Sequence, residues 1–213
     1  TMVDLFDIRR EYTQGRLDET TAADDALTQF HAWFEAQKSL SPDEPTVMTL
    51  ASCDPSGQPR QGIVLLKSYE EDGFIFFTNY TSNKGQHFAE NPKASLHFSW
   101  LAQERQVQVQ GTVSKISREE TEAYFHSRPR ESQIGACASK QSQPLENRAA
   151  LESVVAELIE QYEGVEVPVP AHWGGYRLSP TRLEFWQGGA ARLHDRLEYV
   201  REGINWTKVR LNP

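Results

Sequence analysis

In Gln106-Val-Gln-Val-Gln110 apolar and polar residues alternate without a break, a period of two that only a half-buried β-strand carries. One face of that strand is dry and the other offers amides. Around it lie short β-like runs at Thr46 to Ser52, Ile63 to Ser68, Phe74 to Thr78, Ala94 to Trp100 and Arg105 to Ile116, separated by turns such as Asp54-Pro-Ser-Gly57 and Glu71-Asp-Gly73. Beyond the extended connector Pro168-Val-Pro170, strands resume at Tyr176 to Leu178, Leu183 to Gln187, Leu197 to Arg201 and Trp206 to Leu211. Closely spaced strands with Gly and Pro turns predict an antiparallel sheet that closes into a barrel.

Helices flank this pattern. Leu27, Phe30, Trp33 and Phe34 recur at helical spacing after Asp24-Asp25, acids placed to cap a helix start. Ser117-Arg-Glu-Glu120 fits a capping box opening a helix that ends near Pro129, with Tyr124 in its last turn and Arg128 just beyond. Leu151, Val154, Val155, Leu158, Ile159 and Tyr162 form one stripe of a long helix stopped by Gly164, a stripe suited to a core or a subunit interface. Residues 1–23 read as a mobile arm and residues 24–213 as a single domain.

Bulk properties exclude several functions. A net charge of -8 argues against a nucleic-acid or anionic-membrane partner, because phosphate backbones reward basic surfaces. Cys53 and Cys137 form no metal-like pair, so neither a disulfide framework nor a metal site is expected and a reducing compartment fits. With no apolar run near the ~20 residues that span a bilayer and no leader-like start, the expectation is a cytoplasmic protein.

Within this acidic chain, cations gather in short segments. Glu184-Phe-Trp-Gln-Gly-Gly-Ala-Ala-Arg-Leu-His-Asp-Arg196 sets two arginines, a histidine and a tryptophan around a Gly-Gly turn. Arginine forks grip carboxylates or phosphates, and a histidine beside them holds or releases a proton near neutral pH. Alone, the stretch fits a solvated charged hairpin equally well. Tyr124-Phe-His-Ser-Arg-Pro-Arg-Glu-Ser132 with Ser139-Lys-Gln-Ser142, Arg60-Gln-Gly-Ile-Val-Leu-Leu-Lys67, and Phe76-Phe-Thr-Asn-Tyr-Thr-Ser-Asn-Lys-Gly85 repeat the theme of cations beside hydroxyls and amides, which suits phosphate.

Taken in order, these segments resemble the pyridoxine/pyridoxamine 5′-phosphate oxidase family, from Arg9-Arg-Glu-Tyr12 through SRPRESQIGA, SKQS, WGGYR, EFWQGG and RLHDR to the closing Arg-Leu-Asn-Pro. The resemblance implies a mostly β protein with flanking α-helices, a Greek-key-like FMN-binding split barrel. It further implies a homodimer holding flavin mononucleotide (FMN) at the subunit interface, with residues from about 165 to 213 forming the dimerisation and substrate region. By the same likeness, FMN lies along Gly62, Ile63, Val64, Leu65, Leu66, Lys67, Phe77, Thr78, Asn83, Lys84, Gln106, Gln141, Ser142, Trp186 and Arg196. The substrate phosphate falls to Lys67, Tyr124, Arg128 and Ser132. Arg192, Leu193 and His194 reach the pyridine ring, with Arg192 and His194 in the catalytic roles, and Arg9, Arg10, Glu11 and Tyr12 match an arm closing over the pocket. The implied reaction takes pyridoxamine or pyridoxine 5′-phosphate and dioxygen to pyridoxal 5′-phosphate and hydrogen peroxide.

Three positions depart from the family pattern. Gly62 and Asn83 stand where basic residues reach the flavin phosphate, and Phe77 stands where a tyrosine is usual. The two lost cations motivate an alternative, a split-barrel protein that binds pyridoxal 5′-phosphate or a flavin with little or no turnover. A flavin reductase on the same barrel is a third reading, although no Gly-x-Gly-x-x-Gly fingerprint is present.

Overall fold

A computed structural model describes residues 3–213. Among them run strands β1 (Val47–Cys53), β2 (Pro59–Leu65), β3 (Ser68–Glu70), β4 (Gly73–Asn79), β5 (Lys93–Trp100), β6 (Arg105–Lys115), β7 (Trp173–Gln187), β8 (Asp195–Glu202) and β9 (Asn205–Leu211). The helices are α1 (Ala26–Leu40), α2 (Asn83–Glu90), α3 (Arg118–Ser127), α4 (Arg130–Ala138) and α5 (Arg148–Gln161). The strands follow the order β2-β1-β5-β6-β7-β4-β3, with β8 beside β7 and β9 beside β8. The chain divides into two compact units interleaved along the sequence.

The first unit takes the residues up to Thr49, Ser95–Gln110 and Pro180–Pro213. Asp25 caps α1 as its position predicts, its side chain accepting from the Thr28 amide at 2.9 Å. Phe30, Trp33 and Phe34 then fall on one buried face, where Phe30 meets Phe98 at 5.2 Å and Trp33 meets Phe185 edge-on at 5.3 Å. Each such side chain contributes roughly 1.5–3 kcal/mol on burial, so this aromatic contact anchors the helix. The alternation in β6 is realised as read, with Val107 and Val109 fully buried.

The segment 3–23, expected as a mobile arm, forms no helix or strand, yet from Gln14 onward it is tied down. The Leu17 amide donates to Asp195 at 2.9 Å, and Arg210 holds Glu19 through Nε at 3.0 Å, Asp195 through Nη1 at 2.7 Å and the Leu17 carbonyl at 2.8 Å. Hydrogen bonds from Arg210 push the Glu19 carboxyl down to about 2. Residues 1 and 2 of that expected arm lie outside the described residues.

The second unit takes Leu50–Ala94 and Gly111–Ser179. Its core joins Phe125, Ile134, Val167 and Trp173, with Phe77, Tyr124, Val155, Leu158 and Tyr162 packed against them. The capping box of α3 is present in full, Ser117 and Glu120 satisfying each other's amides. On α5 only part of the apolar stripe is covered, since Val154 and Ile159 remain 40% and 55% exposed.

Three local expectations are corrected. The run Ile63 to Ser68 is not one strand: β2 starts at Pro59 and ends at Leu65, and Lys67 sits between β2 and β3 with its amide on the Ile75 carbonyl at 2.9 Å. β2 has no buried side chain, so its extent is set by backbone pairing and its apolar residues do not mark its ends. The two strands expected at 176–178 and 183–187 are one strand, β7, carried through Pro180. β7 pairs with β4 up to Leu178 and with β8 from Arg182, so Pro180 lies in the gap between those partners. Finally, α2 and α4 lie where no helix is expected, each too short to display a helical period.

Candidate active site

In the second unit, β4 leaves Phe77 half-buried against the core while Thr78 is buried. Phe77 stacks on Tyr124 of α3 at 3.9 Å and on Trp173 of β7 at 5.4 Å, forming an aromatic floor. Arg128, the C-cap of α3, lies over Trp173 at 4.7 Å.

Two clefts share Phe77, Arg128 and Trp173. One, of 260 Å³, is lined also by Ile63, Val64, Thr78, Lys84 and Gln141. The other, of 320 Å³, is lined also by Leu65, Lys67, Tyr124, Pro129 and Ser132. Neither lining contains an aspartate or glutamate. Lys84 is partly buried, and that burial pushes its pKa below the ordinary lysine value. Arg128 Nη1 is buried and has no hydrogen-bond partner. A buried cationic donor left unpaired costs roughly 1–3 kcal/mol or more, so these clefts suit anions that would complete them.

The loop after α4 closes the first cleft. Gln141 Oε1 accepts from Thr78 Oγ1 at 3.1 Å, and Ser142, in the left-handed region at φ 71°, accepts the Asn83 amide at 3.2 Å. Asn83 and Lys84 open α2 behind its Ser82 cap, where helix polarity also favours an anion. Gly62 is exposed on β2, and Leu66, 2% exposed, lines neither cleft.

The remaining expected residues lie in the first unit. Trp186 of β7 packs against His194 at 4.6 Å, and Tyr12 meets Trp186 at 5.8 Å and His194 at 6.0 Å. The Gly189 amide donates to His194 Nδ1 at 3.1 Å, which fixes the neutral imidazole's proton on Nε2. A Cβ on Gly189 would stand 2.2 Å from the Leu193 carbonyl oxygen, so only glycine permits this turn. Within the turn Ala191 and Arg192 are both left-handed, at φ 55° and 63°, and Glu11 accepts the Ala191 amide at 3.0 Å. Arg192 and Leu193 are exposed, and the Arg192 guanidinium has no partner among the described residues.

Other expected contacts are already engaged. Arg196 binds Glu184 through Nε at 3.1 Å and through Nη2, and its Nη1 donates to the Asn212 carbonyl at 2.8 Å. Gln106 Oε1 bonds His97 Nε2 at 3.0 Å. Arg9 is exposed, while Arg10 reaches Glu104 at 3.2 Å.

The family model described as pyridoxamine 5′-phosphate oxidase matches residues 31–162, and that of the pyridoxine 5′-phosphate oxidase C-terminal dimerisation region matches 173–213. This chain belongs to the pyridoxamine 5′-phosphate oxidase family. A pyridoxine/pyridoxamine 5′-phosphate oxidase from Paraburkholderia phymatum is 51% identical over 213 residues, covering 100% of both chains. The Rubrobacter xylanophilus protein of the same name is 50% identical over 210 residues, 99% of this chain and 97% of its own. Among solved structures, PhzG from Burkholderia lata, bound to tetrahydrophenazine-1-carboxylic acid, superposes with a TM-score of 0.84 at 30% identity, covering 91% of this chain and 95% of its own. A pyridoxamine 5′-phosphate oxidase-related, FMN-binding protein from Nostoc punctiforme shares the fold at a TM-score of 0.70 and 15% identity, over 90% of this chain and 100% of its own. The mostly β split-barrel architecture implied by the sequence motifs is therefore the family fold.

Family motifs account for most of the lining, Trp173 of WGGYR included, whereas Glu104 of the first unit escapes them. Trp173, which opens that motif, lines both clefts beneath Arg128. Glu104 is 2% exposed although it stands in a polar turn between β5 and β6. No periodicity signals a buried carboxylate.

Proposed function

We propose that this chain is a cytoplasmic FMN-dependent oxidase that converts pyridoxamine and pyridoxine 5′-phosphates to pyridoxal 5′-phosphate. The observation that carries this reading is the pair of acid-free clefts sharing Arg128, whose buried Nη1 has no hydrogen-bond partner. Two phosphorylated ligands need two such sites.

FMN fits the first cleft by its donors. Lys84, partly buried with no acid in the lining, neutralises phosphate, and Thr78, Gln141 and Ser142 supply hydroxyls and an amide beside it. When bound, FMN would supply the hydride acceptor, with dioxygen as the final oxidant and hydrogen peroxide as its product. The alcohol gives pyridoxal 5′-phosphate directly; the amine gives it with one water consumed and ammonia released.

The substrate phosphate belongs to Lys67, Tyr124, Arg128 and Ser132 in the second cleft. The Arg192 fork orients the pyridine ring, and His194, protonated at Nε2 when neutral, positions or moves the proton of the reacting amine or alcohol. Such positioning supplies most of the rate when the hydride acceptor is a cofactor. Arg9, Arg10, Glu11, Tyr12, Trp186 and Arg196 complete the site in a homodimer, the assembly in which the C-terminal dimerisation region takes part.

Oxygen uptake tests this reading against a carrier without turnover. The oxidase consumes oxygen with pyridoxamine 5′-phosphate and far less with unphosphorylated pyridoxamine. Tight binding of pyridoxal 5′-phosphate with no oxygen uptake at saturating FMN would establish the carrier instead.

The departure at Gly62 gives a second test. A Cβ there meets nothing within 4 Å, so arginine is sterically admitted. Gly62→Arg restores a charge-assisted bond worth roughly 1.5–3 kcal/mol, and FMN affinity should tighten about 10-fold or more. Quenching of flavin fluorescence on titration reads it, and an unchanged affinity would show that residue 62 does not reach the phosphate.

A further inference from the structure

Glu104 is the most buried acid in the polar turns of the first unit, with its side chain 3% exposed and its backbone left-handed at φ 55°. A non-glycine residue in that conformation costs of order 1–2 kcal/mol, and a buried carboxylate costs more unless paired. Both of its oxygens are used by one segment. Oε1 accepts from Arg10 Nη2 at 3.2 Å and Oε2 accepts the Gln14 amide at 3.0 Å.

The backbone of Glu104 grips the opposite side. Its carbonyl oxygen accepts the Gly188 amide at 2.7 Å and Gln187 Nε2 at 3.2 Å. Gln187, fully buried, accepts Arg105 Nε at 2.8 Å, so its side chain is held from both ends. Between these two attachments sits Tyr12, under Arg10 at 5.4 Å and against the Gly188 backbone, with its ring on Trp186 and His194. Glu104 thus fastens the Arg9–Tyr12 segment to the Gly-Gly turn that carries Arg192 and His194, beside the direct bond from the Ala191 amide to Glu11 at 3.0 Å.

We infer that Glu104 is a positioning residue of the oxidase, whose carboxylate holds the N-terminal segment over His194 and Trp186. The inference rests on the oxidase reading for its kinetic consequence alone. Residues 17–19 are fastened separately by Asp195 and Arg210, so loss of the Glu104 bonds loosens the segment before Gln14, which keeps the Glu11 bond to the Ala191 amide and the Tyr12 packing, and leaves the rest anchored.

Glu104→Gln in the full-length holoenzyme tests this. The amide removes the charge facing Arg10 and one of the two acceptors. KM for pyridoxamine 5′-phosphate should rise about 10-fold with kcat within about 2-fold, the pattern of lost uniform binding. Trypsin cleavage after Arg9 or Arg10 should accelerate about 5-fold or more, because cleavage follows the population of the released segment. Arg10→Ala breaks the same pair from its exposed side, and the double variant should add little to either single one. If Glu104→Gln proves poorly folded, Glu104→Asp, whose shorter side chain draws the carboxylate back from Arg10 and the Gln14 amide, decides by the same two readouts.

Wild-type KM and cleavage in Glu104→Gln would overturn the inference, as would faster cleavage with unchanged KM. An effect of Arg10→Ala on KM that is simply added in the double variant would overturn it too, since Arg10 would then act on substrate directly. Should the wild type show no turnover, the oxidase reading fails, while the cleavage rates still report whether Glu104 holds the segment.

Discussion

Replacing Arg192 with alanine is expected to lower kcat/KM for pyridoxamine 5′-phosphate on the order of 10²–10³-fold, the loss typical of a donor aimed at developing charge. Thermal unfolding should hardly move. The guanidinium has no partner among the described residues, so its removal breaks no bond of the fold. The backbone that presents it is another matter: Ala191 and Arg192 sit consecutively in the left-handed region, at φ 55° and 63°. Strain of order 1–3 kcal/mol per residue persists only where the surroundings impose it, and here Glu11, Gly189 and His194 do so. Arg192→Lys should recover little, because an ammonium cannot reproduce the planar fork. Kinetics of Arg192→Ala within about 3-fold of wild type would remove Arg192 from the reaction.

Arg128→Met should separate function from stability in the opposite sense. A methionine of similar length keeps the two backbone bonds that make residue 128 a cap, its amide to the Phe125 carbonyl at 3.2 Å and its carbonyl from Gln133 Nε2 at 2.9 Å. It forfeits a cation–π contact worth roughly 0.5–1 kcal/mol, and it removes an unpaired buried donor that costs about 1–3 kcal/mol. Stability of the ligand-free protein should therefore hold or rise. Substrate affinity should fall by roughly 10- to 150-fold, the range of one charge-assisted bond. Paired measurements of the melting temperature and of KM check both signs. A large loss of stability would mean that Arg128 is a structural cation and not a phosphate ligand.

Much of the architecture is legible because it follows local rules. The Asp25 cap, the Ser117–Glu120 capping box and the alternation at Gln106–Gln110 are each decided within a few residues, and each forms as read. The errors arise where neighbours decide. β2 buries nothing, so its apolar residues do not mark its ends, and β7 survives Pro180 because its pairing partner changes there. The arm is similar: from Thr13 to Thr20 the sequence is polar and loop-like, yet Arg210, nearly two hundred residues away, holds it.

The site divides in the same way. Cations beside hydroxyls announce the clefts, since few other roles place Lys67, Lys84 and Arg128 among Thr78, Ser132 and Ser142. Trp173 and Glu104 give no such sign. An aromatic at a strand start usually packs in a core, and an acid in a turn usually faces water, so only tertiary packing reveals one as the cleft floor and the other as a fastening.

The absorbance spectrum of the protein loaded with FMN, recorded without oxygen before and after pyridoxamine 5′-phosphate is added, tests the central claim most directly. The account predicts that the visible flavin bands bleach on addition of the amine and return when air is admitted. Bands that stay fully oxidised at saturating pyridoxamine 5′-phosphate would contradict it.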